Sequence, residues 1–225
     1  MTHKRTVKGA ELYLRTLKAA LNRAVDWEYI EVNPFNKVKL PKSQKTFPVF
    51  INEKELEVII DQTKNEELKL LFTLAFYTGM RLGELTNLKW GHVDLKGGNI
   101  TVKNDKSFSS KSKRDRNIPL NKLMSDLLMS KKANLNLESY VFLKGRGIKF
   151  NNDYVTKSFK KAVRKTELND KIHFHTLRHS FASRLGQRGA SIYVVKELLG
   201  HSDVTTTQIY SHLEQSNLRE VIKLL

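Results

Sequence analysis

The chain contains no cysteine and no long apolar run. The missing cysteine excludes a disulfide framework, a thiol nucleophile and any zinc or iron–sulfur site with cysteine ligands. The most apolar stretch, residues 70–77, is far too short to cross a bilayer, and the N-terminal residues lack the apolar core of a signal peptide. We therefore expect a cytoplasmic protein without a membrane partner.

Acidic residues are scarce relative to basic ones. The chain has 23 Asp and Glu against 40 Lys and Arg, a formal net charge of +17. Much of the excess lies in two windows: residues 103–116 hold six basic and two acidic side chains, and residues 144–171 hold nine and three. Either window alone is typical of a solvated face. Two of them in one basic chain favour a polyanionic partner such as nucleic acid over a small-molecule substrate.

Hydrophobic periodicity predicts a mainly α fold with a small antiparallel β-sheet, in the α+β class. An amphipathic helix over residues 7–31 precedes a basic, proline-rich linker, so we place a domain boundary near residue 45, between a short unit (1–45) and a large domain (46–225). Further helices are predicted over residues 52–64, 66–78, 121–132, 152–165, 175–185, 191–199, 204–212 and 216–225. Short strands are predicted at residues 93–95, 100–102 and 117–120.

Four short motifs follow one another in the large domain. They are TGMRLGEL at residues 78–85, a lysine-bearing hairpin ending in IPL at 118–120, HTLRH at 175–179, and LGH at 199–201, nine residues before Tyr210. Each motif alone is weakly informative. The ordered set resembles the tyrosine recombinases, the phage-integrase family, and the resemblance extends over residues 6–212.

The resemblance implies a catalytic set for cutting a DNA phosphodiester without a metal or another cofactor. Two arginines would bind the non-bridging oxygens, two histidines would assist, a lysine would protonate the leaving oxygen, and a tyrosine would attack the phosphorus. Arginine suits the first role because its planar fork of donors is always charged. The matching residues are Arg81, Lys111, His175, Arg178, His201 and Tyr210.

The lysine assignment leaves an alternative open. The hairpin loop offers Lys103, Lys106, Lys111 and Lys113; counting back from the IPL motif favours Lys111, and a longer loop would shift the count to Lys113. Two neighbours of the set are expected to support it. Glu84 would pair with and orient an arginine, and His179 would act by packing or by hydrogen bonding to the catalytic groups.

The resemblance also implies the partners. The family acts on double-stranded DNA as a homotetramer, so we expect a tetramer on DNA, a monomer without it, and association with the nucleoid of a prokaryotic host. Residues 1–45 resemble only part of the family's N-terminal core-binding domain. The expected function is site-specific recombination or integration through a covalent 3′-phosphotyrosine, as in phages and other mobile elements.

The sequence is also compatible with three other functions. A non-catalytic DNA-binding protein of the same fold would need cations for phosphate but would have no use for Tyr210. Relaxation of DNA, as in type IB topoisomerases, would use the same chemistry. A metal-dependent nuclease could use His175 and His179, which are spaced four residues apart, but the sequence shows no carboxylate cluster that suits Mg²⁺.

Overall fold

The chain divides into two compact units, Met1–Phe47 and Pro48–Leu225. The computed structural model describes residues 7–39, 48–103, 115–131, 136–145 and 147–210. The predicted boundary near residue 45 lies outside the described residues, as do the lysine candidates of the hairpin loop except Lys103, and the predicted final helix over 216–225. No described helix is both long and apolar enough to cross a membrane.

The first unit consists of helix α1, Val7–Asp26, followed by a 3-10 turn, Pro34–Lys37. The prediction that this helix continues to residue 31 is wrong, because Glu28 takes a left-handed conformation with φ of 61°. Asn33 connects the two elements: its side chain accepts from the amide of Phe35 at 2.9 Å and donates to Asn22 at 2.6 Å.

The helices of the second unit begin and end at recognisable signals. The capping box of Asn52 and Glu55 opens α2, and Gly79, with φ of 63°, ends α3. The helices are α2 (Glu53–Asp61), α3 (Glu66–Thr78), α4 (Leu82–Thr86), α5 (Lys122–Lys131), α6 (Asn152–Val163), α7 (Phe174–Gln187) and α8 (Ile192–Leu199). The predicted helix over 204–212 is wrong: within its described part there is a 3-10 turn, Val204–Thr206.

A three-stranded antiparallel sheet lies between α4 and α5. Its strands, β1 (Val93–Asp94), β2 (Asn99–Val102) and β3 (Arg116–Pro119), are arranged in sequence order. Ile100 of β2 is paired with Ile118 of β3, and both are buried. A second antiparallel hairpin, β4 (Leu143–Gly145) with β5 (Ile148–Lys149), was not predicted.

The core brings together helices that are distant in sequence. Phe72 of α3, Phe159 of α6 and Phe174 of α7 pack edge to face, with ring centroids 5.0 to 6.1 Å apart. A smaller apolar cluster joins α7 and α8 to Tyr210. These two clusters place the end of α3, the middle of α7 and the end of α8 next to one another, and the functional site forms there.

Candidate active site

Three arginines converge on the C-terminal end of α8. Arg116 Nε donates to the carbonyl of residue 198 at 3.0 Å, Arg178 Nη2 to that of residue 199 at 2.7 Å, and Arg81 Nη2 to that of residue 200 at 3.1 Å. The last carbonyls of a helix have no partner within it and form the negative end of its dipole. The end of α8 therefore favours three positive charges in a small volume.

Arg178 is the most buried of the three, with 3% of its surface exposed. Its Nη1 donates to the carbonyl of Gly79, at the end of α3, at 2.7 Å. Burial, together with the charge of Arg81, lowers the pKa of Arg178 to about 9. This still leaves the guanidinium charged at neutral pH, and the ends of two helices fix its position.

Glu84 connects the other two arginines. It is 3% exposed and accepts from Arg81 Nη1 at 3.0 Å and, through both oxygens, from Arg116 at 3.0 and 2.7 Å. Burial alone would raise the pKa of Glu84, but the hydrogen bonds and charge of Arg116 outweigh it, so the pKa lies below its ordinary value. Glu84 is thus a charged carboxylate that pairs with Arg81, as expected, and also with Arg116.

Arg116 is the contributor that the sequence analysis missed. It was counted among the phosphate-attracting residues of the basic window, but it is only 6% exposed. The strand pattern contained the signal: buried and exposed residues alternate along β3, and Arg116 has the same parity as buried Ile118. An arginine on the inward side of a strand needs a buried anionic partner, which here is Glu84.

Tyr210 lies beside this cluster with its hydroxyl turned towards a histidine. The hydroxyl is 2.5 Å from Nδ1 of His179, and the residue is 5% exposed. Burial raises the pKa of Tyr210 to about 12, although Arg178 acts in the opposite direction. The nucleophile predicted from sequence is therefore a neutral phenol in the DNA-free protein.

The three histidines of the site are neutral at physiological pH. Desolvation, and then the positive charges around them, Arg178 among them, lower the pKa of His175 to about 4, of His179 to about 4 and of His201 to about 3. The rings of His175 and His179 are in edge-to-face contact, with centroids 4.7 Å apart. His201 Nδ1 is 2.8 Å from the hydroxyl of Thr207.

The structure describes all of the predicted catalytic residues except Lys111 and brings them together around the end of α8. Lys111 and its alternative Lys113 lie outside the described residues, between β2 and β3 in the sequence. In the described part of the chain, no group of three or more His, Asp or Glu side chains could hold a metal ion.

Comparison with known proteins identifies relatives over most of the chain. The family model described as "Phage integrase family" matches residues 49–217. The chain is 30% identical over 226 residues to "Tyrosine recombinase XerC" of Halalkalibacterium halodurans, covering 93% of this chain and 73% of that protein. It is 31% identical over 218 residues to the protein of the same name from Yersinia pestis, covering 93% and 70%.

Solved structures resemble the fold as well. A lambda integrase (75-356) dimer bound to a COC' core site has a TM-score of 0.74 at 25% identity, over 89% of this chain and 74% of that chain. The Tn1549 transposon integrase in complex with transposon right end DNA has a TM-score of 0.77 at 21% identity, over 99% and 80%. The predicted fold class is confirmed. The chain belongs to the phage integrase family and is a tyrosine recombinase, an enzyme that exchanges DNA strands.

Proposed function

We propose that this enzyme cuts and rejoins duplex DNA at specific sites through Tyr210. The phenol oxygen attacks the scissile phosphorus, the 3′ end becomes a phosphotyrosine, and a 5′-hydroxyl is released. One observation carries the proposal: the hydroxyl of Tyr210 is hydrogen-bonded to His179, the residue next to Arg178. The proposed nucleophile and the buried cation therefore lie in one site of a single chain. This arrangement does not favour a protein that only binds DNA.

Arg81 and Arg178 would bind the two non-bridging oxygens of the phosphate. Each terminal nitrogen of a guanidinium carries two N–H groups. In Arg178, one N–H of Nη1 donates to the carbonyl of Gly79 and one N–H of Nη2 donates to the carbonyl of Leu199. Each of these nitrogens therefore has a second N–H that can donate to the phosphate. Such preorganised donors stabilise the charge that develops on these oxygens in the transition state.

The two predicted histidines support the same phosphate. His201 Nδ1 is paired with the hydroxyl of Thr207. In the tautomer with the ring hydrogen on Nε2, that nitrogen would donate to a phosphate oxygen. His175 lies on α7, three residues before Arg178. Its ring packs against His179, which removes part of its solvent, while the rest of the residue stays exposed and can meet a phosphate. Their lowered pKa values make both rings neutral hydrogen-bonding groups before DNA binds, and an incoming phosphate would raise those values.

Lys111 remains our candidate for the acid that protonates the departing 5′-oxygen. The lysine is five residues before Arg116, and Arg116 is held by Glu84 and by the end of α8. A substrate with a bridging 5′-sulfur tests the role because a thiolate leaves without a proton. Lys111→Ala should fail on ordinary DNA and recover on the sulfur substrate. Recovery of Lys113→Ala instead would move the role to Lys113.

DNA and further copies of this chain are the proposed partners. Among the structural relatives are a lambda integrase dimer on a COC' core site and a lambda integrase tetramer bound to a Holliday junction. By analogy we propose a homotetramer on two duplexes, a monomer without DNA, and work at the nucleoid in the cytoplasm of a prokaryote. Residues 1–45 would contribute part of a DNA-binding domain to that assembly.

Covalent capture tests the central claim. The protein is incubated, with EDTA present, with a pool of duplexes that carry one nick beside random sequence, and adducts that resist SDS are isolated and sequenced. Tyr210→Phe should give no adducts while binding DNA within a few-fold of the wild type. Tyr193→Phe, at an exposed tyrosine of α8, is the matched control and should react normally. Adducts from Tyr210→Phe would refute the proposal.

A further inference from the structure

His179 is the hydrogen-bond partner of the Tyr210 hydroxyl among the described residues. The ring lies on α7, one turn beyond His175 and directly after Arg178. The other two histidines of the site are oriented differently: His201 Nδ1 bonds Thr207, and His175 contacts the ring of His179 rather than the tyrosine. The sequence predicts a supporting role for His179, but in the structure its Nδ1 contacts the hydroxyl oxygen of Tyr210 directly.

We propose that His179 is the base that takes the phenolic proton when Tyr210 attacks DNA. The O–H bond of Tyr210 breaks, its proton moves to Nδ1 of His179, and its oxygen forms the new bond to phosphorus. The bond from phosphorus to the 5′-oxygen breaks, and that oxygen takes its proton from the general acid. In rejoining, the imidazolium returns the proton to the departing phenolate.

The protonation states before the reaction suit this role. Burial, followed by the charges of His173 and Arg178, keeps His179 neutral, with a pKa of about 4. Nδ1 faces the hydroxyl. The proposal assigns the ring hydrogen to Nε2, and in that tautomer the lone pair of Nδ1 accepts the phenolic proton. Tyr210, with a pKa of about 12, holds that proton firmly in the resting protein.

Formation of the bond between the phenol oxygen and phosphorus moves the proton from Tyr210 to His179. The phenol oxygen loses its basicity as it bonds to phosphorus, so its proton must leave during the attack. A nitrogen 2.5 Å away accepts it without any rearrangement. The phosphate also brings negative charge to a site that contains Arg81, Arg116 and Arg178, which raises the affinity of His179 for a proton at that moment.

Two substitutions separate proton transfer from simple positioning. His179→Asn places an amide oxygen near the position of Nδ1, so it can accept the hydrogen bond but cannot take the proton. His179→Phe keeps the ring shape and can do neither. The inference rests on the proposed role of Tyr210, so the nicked duplex recovered with the wild-type enzyme is used for all variants, Tyr210→Phe included.

The rate of adduct formation and its pH profile are the readouts. At pH 7 both His179 variants should be slowed by about 100-fold or more, the usual contribution of a general base. Their rates should rise with pH as phenolate forms without help, so the deficit shrinks under alkaline conditions. The pH profile also depends on the groups that face His179, namely His173, His175, Arg178 and Tyr210. The rate of each variant is therefore divided by the rate of the wild type at the same pH.

The rates of the two His179 variants decide whether His179 acts as the base. A deficit that shrinks with rising pH in both variants supports the inference. His179→Asn within about threefold of the wild type would show that only a hydrogen-bond acceptor is needed and would overturn it, as would a deficit that does not change with pH. If His179→Phe does not fold, His179→Asn decides alone. Adducts from Tyr210→Phe would instead refute the proposed function.

Discussion

Glu84 sets the charge balance of the active site. Three guanidinium groups lie around one buried carboxylate, so the cluster keeps two net positive charges. Without Glu84, three desolvated cations would repel one another. With it, the protein can fold before DNA arrives and still attract a phosphate.

Arg116→Met tests the contribution of the bidentate pair to stability. Removing one partner of a buried ion pair leaves a desolvated charge, so we expect a loss of about 3 kcal/mol in the free energy of unfolding. Adduct formation should slow as well, because Glu84 also orients Arg81. Urea unfolding measures the first effect. Arg188→Met is the control, since that exposed arginine is 3.7 Å from its partner Glu53, and equal stability of the two variants would contradict the prediction.

Acid should destabilise the protein through its neutral histidines. The folded-state pKa values of His175, His179 and His201 lie near 4, 4 and 3, below the ordinary value of about 6.5. On acidification the unfolded chain binds these protons at a higher pH than the folded protein does. The free energy of unfolding therefore has its full value above about pH 7 and decreases as the pH falls towards 4. Urea midpoints measured from pH 8 to pH 5 should decrease on acidification, with a smaller slope for His179→Phe. A rise on acidification would exclude this account.

At the scale of elements, the site is built from helix ends. Gly79 ends α3 and Gly200 ends α8, both in the left-handed conformation, and their carbonyls accept from Arg178 and Arg81, respectively. A helix end supplies free carbonyls at a fixed place, and glycine lets the chain turn away at once.

Gly200→Ala tests how tightly α8 is fitted to the arginines. An added Cβ would lie 2.9 Å from two atoms of Arg116. Gly98→Ala is a matched control, because Gly98 has nearly the same φ, 65° against 64°, but no atom within 4 Å of the added carbon. Both variants incur the left-handed penalty of about 1 kcal/mol, so a larger loss of stability and cleavage is expected only for Gly200→Ala. Indistinguishable thermal unfolding curves would show that the contact is unimportant.

Elements with local signals were predictable from sequence, and those that depend on tertiary contacts were not. Gly79 and the capping box at Asn52 are properties of neighbouring residues, and helices α2 and α3 begin and end near them. The hairpin of β4 and β5 was missed because its short strands are half-buried or exposed and show no alternation of buried and exposed residues. The segment leading to Tyr210 has helical periodicity, yet it turns in a 3-10 conformation where Tyr210 packs against α7 and α8.

The residues of the site also separate into those that local sequence predicts and those whose role depends on tertiary contacts. Arg81 and Arg178 were assigned because each lies in a recognisable motif, and Tyr210 because it follows the LGH motif by nine residues. Arg116 has no such motif, and its importance comes from Glu84, 32 residues earlier in the chain. The role of His179 depends on a contact with Tyr210, 31 residues later, and spacing along the sequence could not have indicated it.

At the scale of the whole molecule, a net charge of +17 predicts strongly salt-dependent binding to DNA. Each phosphate that a protein neutralises contributes about −0.9 to the slope of log affinity against log salt concentration. Fluorescence anisotropy with the captured duplex should give a steep slope, unchanged by Tyr210→Phe, which removes no charge. A flat response would mean that the basic excess does not contact the phosphate backbone.

The hydrogen bond between Tyr210 and His179 connects two residues of the same polypeptide. If this contact is kept in an assembly of several copies, each protomer is expected to bring Tyr210 to its own arginines and to cleave in cis. A mixture of Tyr210→Phe and Arg178→Ala proteins should then form no adducts, because neither kind of protomer has a complete site and neither can lend the missing group. If protomers exchanged their tyrosines, the two defective proteins would complement each other and adducts would reappear. Cleavage in cis would make strand exchange depend on cooperation among protomers that each hold a complete site.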